Sequence, residues 1–335
     1  MNVLIKRLAP LAVGCLSILG VLGLAEVGFR LVGSYEPKPQ LFPGDVQTEA
    51  DPYADPHVGW KLEPSARIPE QQAEYSVIYQ TNPQGFRSPY DFEQPKSERR
   101  IAFLGDSFTF GSGVADGETF VALIDEALRG AEVFNYGIGA FGIDQMWMTL
   151  RHYALKHEPD LVVLAFIRND IERSMTAYRD GHIWRSKPTF TLDGGALRPL
   201  TAEDRPTSWW WRASRRLRLA ELWRRTDASI SRTHPWARHW RLNRALLAAM
   251  KAECDLAGVP FVVVHLPVNR RHDFPIIESE MAALGIPARD LAPLFPAESD
   301  ALFYAQDHHF TVEGHRLTAE LLLDFLGDEM LLAER

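Results

Sequence analysis

The chain has 335 residues, 46% of them hydrophobic and 24% charged, which suits one large α/β domain or two small ones and supplies ample material for a core. The formal net charge of −8 lacks the basic footprint of a general nucleic-acid binder, so nucleic acid is not expected as a partner. The two cysteines, Cys15 and Cys254, make neither a disulfide framework nor a zinc cluster.

In chain order, Lys6 and Arg7 come first, followed by an uncharged apolar run from Leu8 to Ala25. At 1.5 Å per residue this run reaches about 27 Å, close to the hydrocarbon thickness of a bilayer. It predicts a transmembrane anchor within residues 1–33. A cleaved signal peptide would have a shorter apolar core closed by small residues, and Cys15 stands too early in the run for a lipoprotein signal. Lys6 and Arg7 would remain in the cytoplasm, with the rest of the chain outside it, periplasmic or extracellular. Residues 34–99, rich in Pro, Gly, Gln and acidic side chains, read as a linker. It becomes an ordered lead-in near Val58–Leu62 and Tyr75–Tyr79, with turn chemistry at Asn82-Pro83-Gln84-Gly85.

From Arg100 the pattern changes. Ile101–Leu104 is a short apolar strand ending in Gly105-Asp106-Ser107. Thr119–Leu128 has helical spacing, Val133–Tyr136 is a second strand ending in glycines, and Asp144–Lys156 reads as a helix. Leu161–Ile167 is a continuous apolar strand of the kind buried on both faces of a parallel sheet. Leu242–Ala257 is helical, Val259–Leu266 is another buried strand, Phe274–Leu284 is a helix, and Thr311–Leu326 is a terminal helix. This alternation implies a doubly wound α/β sheet. Residues 171–241 interrupt it as an insertion. Ten Arg stand between Arg205 and Arg241 against Glu221 and Asp227, with six of the nine Trp, including Trp209-Trp210-Trp211. This segment reads either as a solvated helical excursion or as a cap that touches a membrane surface.

Ser107 directly follows a strand, where an open α/β sheet places its sites and where the amides of a following helix face an anion. Taken alone it is equally a helix-capped turn. Asn169 stands at the carboxyl end of the Leu161–Ile167 strand, able to donate to an oxyanion or to form an Asx-turn. The glycines of Asn135–Gly142 allow close backbone approach. Asp307-His308-His309 precedes the last helix. An Asp two residues from a His can hold the imidazole in one tautomer and leave the other ring nitrogen to deprotonate a serine. The competing reading is a metal site from Asp307, His308, His309 and His315, which are ligand types zinc accepts; no further His or Cys cluster supports it. Asp106 shapes the turn, His315 packs or caps the last helix, and Trp60 and Trp147 are core or pocket wall.

Gly105-Asp106-Ser107, the Asn135–Gly142 loop, Asn169-Asp170 and the terminal Asp-His stretch resemble, in order and spacing, the four blocks of the SGNH/GDSL hydrolase superfamily. The likeness covers roughly residues 100–330. The lead-in, with Gly59-Trp60 and Thr81-Asn82-Pro83-Gln84-Gly85-Phe86-Arg87, resembles the bacterial subgroup that carries an N-terminal membrane helix. The resemblance implies a three-layer α/β/α sandwich with a mostly parallel, flavodoxin-like sheet. It also implies a serine esterase acting on acyl esters, of carbohydrate or lipid, without cofactor or metal. Ser107 would be the nucleophile and one oxyanion donor, Asn169 a second donor, His309 the general base and Asp307 its orienter, with His308 the minor alternative as base. The spacing departs from the commoner pattern, in which the Asp precedes the His by three residues; Gln306 occupies that place here. Ala140 stands where the family has its oxyanion glycine, so a Cβ crowds the hole and positive φ is disfavoured; Gly142 is the alternative donor. An O-acyltransferase acting on an envelope polysaccharide would carry the same triad, and a non-catalytic binding protein could share the fold.

Overall fold

The structure, a computed structural model, describes residues 17–28, 43, 53–179, 185–205, 207–208, 238–268, 276–296, 300–329 and 331. Lys6, Arg7, residues 8–16 of the apolar run and Trp209-Trp210-Trp211 lie outside these residues, as does most of the Arg-rich segment. Residues 17–28 are helical, and among the described residues no helix is long and apolar enough to cross a membrane.

The lead-in is a built part of the domain from residue 53 onward, more extensive than the two ordered pieces expected from sequence. Strands β1 (Arg67–Gln71) and β2 (Ser76–Gln80) pair antiparallel as a hairpin. Val58, Trp60, Phe86 and Phe92 are buried in the main core. The side chain of Asn82 accepts from the amides of Gln84 and Phe86, an Asx arrangement that makes the expected turn. The turn delivers Arg87 into the interior. There the guanidinium donates to the carbonyls of Phe110, Gly111 and Val114 and pairs with Asp116 at 2.7 Å. One buried arginine thus holds the loop that follows Ser107.

The central sheet has five parallel strands: β3 (Arg99–Gly105), β4 (Ala131–Asn135), β5 (Leu161–Ile167), β6 (Phe261–Leu266) and β7 (Ala288–Asp290). Their order is β7-β6-β5-β3-β4. The helices are α1 (Ser107–Phe110), α2 (Phe120–Ala127), α3 (Ile143–His152), α4 (Arg168–Arg173), α5 (Arg238–Ala257), α6 (Ile277–Ala282) and α7 (Val312–Asp328). Every residue of β5 is buried, as its unbroken apolar run requires when helices cover both faces. Val162, Leu164 and Phe166 join one core with side chains of α3, α5 and α6. Leu161, Val163, Ala165 and Ile167 join the other with side chains of α2 and α7. Each large apolar side chain so buried contributes about 1.5–3 kcal/mol.

One predicted helix ends early, and one strand was not predicted. The helix expected over Asp144–Lys156 stops at His152, and a separate 3-10 turn over Ala154–His157 carries the His157 ring onto the Tyr136 hydroxyl at 2.7 Å. Strand β7, three residues long, carries too little periodicity to be seen in sequence. Within the insertion, Phe190–Asp193 and Ala196–Pro199 form a hairpin. It is anchored by Lys187, whose buried ammonium pairs with the buried Asp144 carboxylate on α3.

Candidate active site

Ser107 begins α1 two residues after β3 ends at Gly105. Asp106 caps this short helix, its Oδ1 accepting the Phe108 amide at 2.9 Å. Gly105 is obligatory, because a Cβ there would lie 2.0 Å from Thr109 Oγ1 and 2.5 Å from the Ala165 carbonyl oxygen. The tight turn therefore depends on a residue with no side chain. Asn135 ties the glycine loop to α1: its carboxamide donates to the Thr109 carbonyl and accepts the Gly137 amide. A Cβ on Gly137 would come within 2.3 Å of the Phe110 nitrogen.

The structure brings Asp307 and His309 to Ser107 across the whole chain. His309 Nε2 lies 2.8 Å from Ser107 Oγ, and His309 Nδ1 lies 2.8 Å from Asp307 Oδ2. With the Nδ1 proton directed to the carboxylate, Nε2 is the acceptor for the serine hydroxyl. The Phe108 ring packs 4.9 Å from the imidazole. The hydrogen bond from His309 holds the Asp307 carboxyl below its usual range against partial burial, and a further bond from Tyr75 adds to it. His308, the alternative base, is exposed at φ 66° and donates its amide to the Tyr304 carbonyl; it is the neighbouring ring that meets Ser107. His315 is buried and accepts the Phe120 amide at Nδ1, 3.1 Å away, and burial pushes its pKa down to about 3. Among the described residues no group of three or more His, Cys, Asp or Glu could hold a metal ion.

The hairpin of the lead-in supplies residues that sequence reasoning missed. The Tyr75 hydroxyl donates to Asp307 Oδ2 at 2.9 Å. The Glu74 carboxylate accepts the successive amides of Ala305, Gln306 and Asp307 at 2.7, 2.9 and 3.0 Å. These bonds span more than two hundred positions, and no local pattern announces them.

The oxyanion candidates come from three loops at one sheet edge. The amides of Ser107, Gly139 and Ala140 have no acceptor among the described residues. Ala140 adopts φ 68° despite its Cβ, a left-handed conformation that costs a non-glycine residue about 1–2 kcal/mol. Gly139 is beside Ser107, since a Cβ on it would lie 3.9 Å from Ser107 Cβ. Its carbonyl accepts the indole N–H of Trp60 at 3.3 Å, so Trp60 braces this loop as well as filling the core. Gly142 is engaged elsewhere: its amide donates to Gln145 Oε1 at 3.3 Å, and it serves as the N-cap of α3. Of the two loop positions considered from sequence, the amide of Ala140 is the one left available. Asn169 is exposed in the first turn of α4, and its carboxamide makes no hydrogen bond among the described residues. It leaves β5 beside β3, which carries Ser107. Arg173, one helical turn on, is hydrogen-bonded to both Asp106 and Asp170.

No family model and no curated protein matches the chain. Among solved structures it is similar to a member of the lipolytic protein G-D-S-L family from Veillonella parvula, at 16% identity over 68% of this chain and 97% of that chain, with a TM-score of 0.39. It is similar to the lipase/acylhydrolase from Enterococcus faecalis, at 17% identity over 69% and 96% of the two chains, with a TM-score of 0.41. It is also similar to a catalytic mutant of an acetylxylan esterase from Geobacillus stearothermophilus, at 14% identity over 70% and 96%, with a TM-score of 0.40.

Proposed function

We propose that this chain is a serine ester hydrolase, tethered to a membrane by its N-terminus, that cleaves acyl esters outside the cytoplasm. The observation that carries the chemistry is the unbroken relay Asp307–His309–Ser107, both contacts 2.8 Å long. It ends on a hydroxyl at the carboxyl edge of a parallel sheet. In this reading His309 Nε2 takes the Ser107 proton as Oγ attacks the ester carbonyl carbon. The tetrahedral oxyanion accepts from the Ser107 and Ala140 amides and from the Asn169 carboxamide. Collapse breaks the ester C–O bond, and His309 passes its proton to the departing alcohol. Water, deprotonated by the same imidazole, then releases the acid from the acyl-serine.

The tether rests on the uncharged run from Leu8 to Ala25 behind Lys6 and Arg7. The helical residues 17–28 point the same way, since Ile18, Leu19, Val21, Leu22, Leu24 and Val27 are exposed. Six exposed apolar side chains on one helix are at ease in hydrocarbon.

The test of the chemistry is a screen of the chain against p-nitrophenyl esters of short and long acids and against acetylated glycans, with Ser107→Ala beside it. Acid release should vanish in that variant, and a serine-directed phosphonate should label the parent at Ser107 and leave the variant unlabelled. Full turnover by Ser107→Ala would sink the assignment. The tether is tested by fractionation. The full chain should stay with membranes through a high-salt wash, whereas residues 35–335 should be soluble and active; release of the full chain by salt alone would contradict a spanning anchor.

A further inference from the structure

Asp106 and Asp170 are both fully buried, and they sit on adjacent loops, after β3 and β5. Their bonding is parallel. Each uses one carboxylate oxygen to fix the backbone of its own turn. Asp106 Oδ1 accepts the Phe108 amide at 2.9 Å, and Asp170 Oδ2 accepts the Ile167 amide at 2.9 Å. Each turns its other oxygen to the same atom, Arg173 Nη1, which lies 2.8 Å from Asp106 Oδ2 and 2.6 Å from Asp170 Oδ1. The same nitrogen is 3.4 Å from the carbonyl oxygen of Phe141, next to Ala140 in the glycine loop. One guanidinium nitrogen therefore touches all three loops from which the oxyanion donors come.

We infer that Arg173 is a positioning residue for the oxyanion hole, holding the Ser107 turn, the Ala140 loop and the Asn169 turn in one register. The inference rests on the hydrolase reading given above. Two buried carboxylates facing each other would drive their loops apart, because like charges in a low-dielectric interior repel strongly. A cation between them turns that repulsion into a clasp. Burial and the neighbouring Asp106 push the Asp170 carboxyl well above its usual range, with Arg173 opposing them, as expected where one cation serves two acids. The donors themselves are two backbone amides and an exposed carboxamide. The two backbone amides cannot correct their aim once their loops move, and oxyanion stabilisation depends on preorganised donors. Arg173 does not touch the reacting ester; it acts through Asp106, Asp170 and Phe141.

The test compares Arg173→Met and Arg173→Lys in the full chain on p-nitrophenyl acetate, with rates taken per site titrated by a serine-directed phosphonate. Titration separates lost geometry from lost folded protein. In Arg173→Met, kcat per titrated site should fall by about 100-fold, the scale of one lost donor, while KM stays within about threefold. In Arg173→Lys, whose ammonium can donate to both carboxylates, kcat should stay within about tenfold of the parent. If Arg173→Met yields too little folded protein to titrate, the lysine variant decides alone, with a loss larger than about tenfold per site overturning the inference. An unchanged kcat in Arg173→Met, or equal losses in the two variants, overturns it as well. A parent enzyme whose turnover survives Ser107→Ala refutes the hydrolase reading instead, so the two failures are told apart.

Discussion

On the nucleophile side of the proposed site, Asp106 and Asp170 are buried, and the half-buried Arg173 binds both of them side chain to side chain within a few residues of the strand ends. On the acid–base side, the segment 304–309 is half-buried or exposed and contains no strand. It is gripped instead by Glu74 and Tyr75, from a hairpin 232 positions earlier in the case of Tyr75 and Asp307. The first side holds backbone amides that must already be aimed, and buried charge makes misplacement costly. In the proposed reaction the second carries an imidazole that exchanges a proton in each half-reaction, and a partly solvated loop held by neutral and charge-assisted bonds suffices for that.

The largest effect expected on the acid–base side tests which ring matters there. His309→Ala should lower kcat by about 10⁴-fold or more, whereas His308→Ala should keep substantial turnover, because its ring does not meet Ser107. A dead His308→Ala enzyme with a working His309→Ala one would reverse the assignment.

A smaller effect is expected from Tyr75→Phe, which removes one hydrogen bond to Asp307 and leaves the ring contact with Tyr304, 4.9 Å between centroids, in place. The Asp307 carboxyl is held low by His309 first and by Tyr75 as well. Losing the Tyr75 donor lets its pKa rise, and a more basic carboxylate binds the imidazolium more tightly. Both changes move the acid limb of kcat/KM, which belongs to the coupled pair, to higher pH. Turnover at the plateau should fall by only about tenfold, the worth of one hydrogen bond to a charged group. A pH–rate profile of the variant superimposable on that of the parent would show that the hairpin braces the loop without tuning the pair.

The same contrast explains what was legible in the sequence. Strand β5 was read from Leu161 to Ile167, the bounds it has in the structure, because burial on both faces leaves no polar interruption. Ser107, Asp307 and His309 could be singled out because each lies beside a boundary between elements, where turn residues cluster. The hairpin could be read only at its second strand, where Tyr75–Tyr79 stood out as an ordered piece. Its first strand runs Arg-Ile-Pro-Glu-Gln, with no position fully buried, and a proline in a short polar stretch argues for loop. Arg173 stood unread for a different reason. Its spacing from Asp170 is an ordinary helical one, three residues, and its second partner, Asp106, is set by sheet order and not by chain order. Ala140 shows the opposite case. Sequence marked its Cβ as an obstacle to positive φ, and the structure adopts φ 68° there all the same, the tertiary frame overriding a local preference of about 1–2 kcal/mol.

The separation along the chain between the two sides also sets when the site comes into being. Ser107 and His309 are 202 positions apart. Closing a loop of that length costs on the order of 5 kcal/mol in chain entropy, more than a single net hydrogen bond of about 1 kcal/mol returns. The contact is therefore made only after the sheet has already paired β3 with β5 and β5 with β6 and carried the late segment back to the early one. A growing chain that has reached residue 300 already has Ser107 and the amides proposed for the oxyanion, yet lacks both His309 and the segment that Glu74 and Tyr75 hold. On the proposed function, reactivity at Ser107 thus arises only once His309 has been carried back to it, and a serine-directed probe reports that contact.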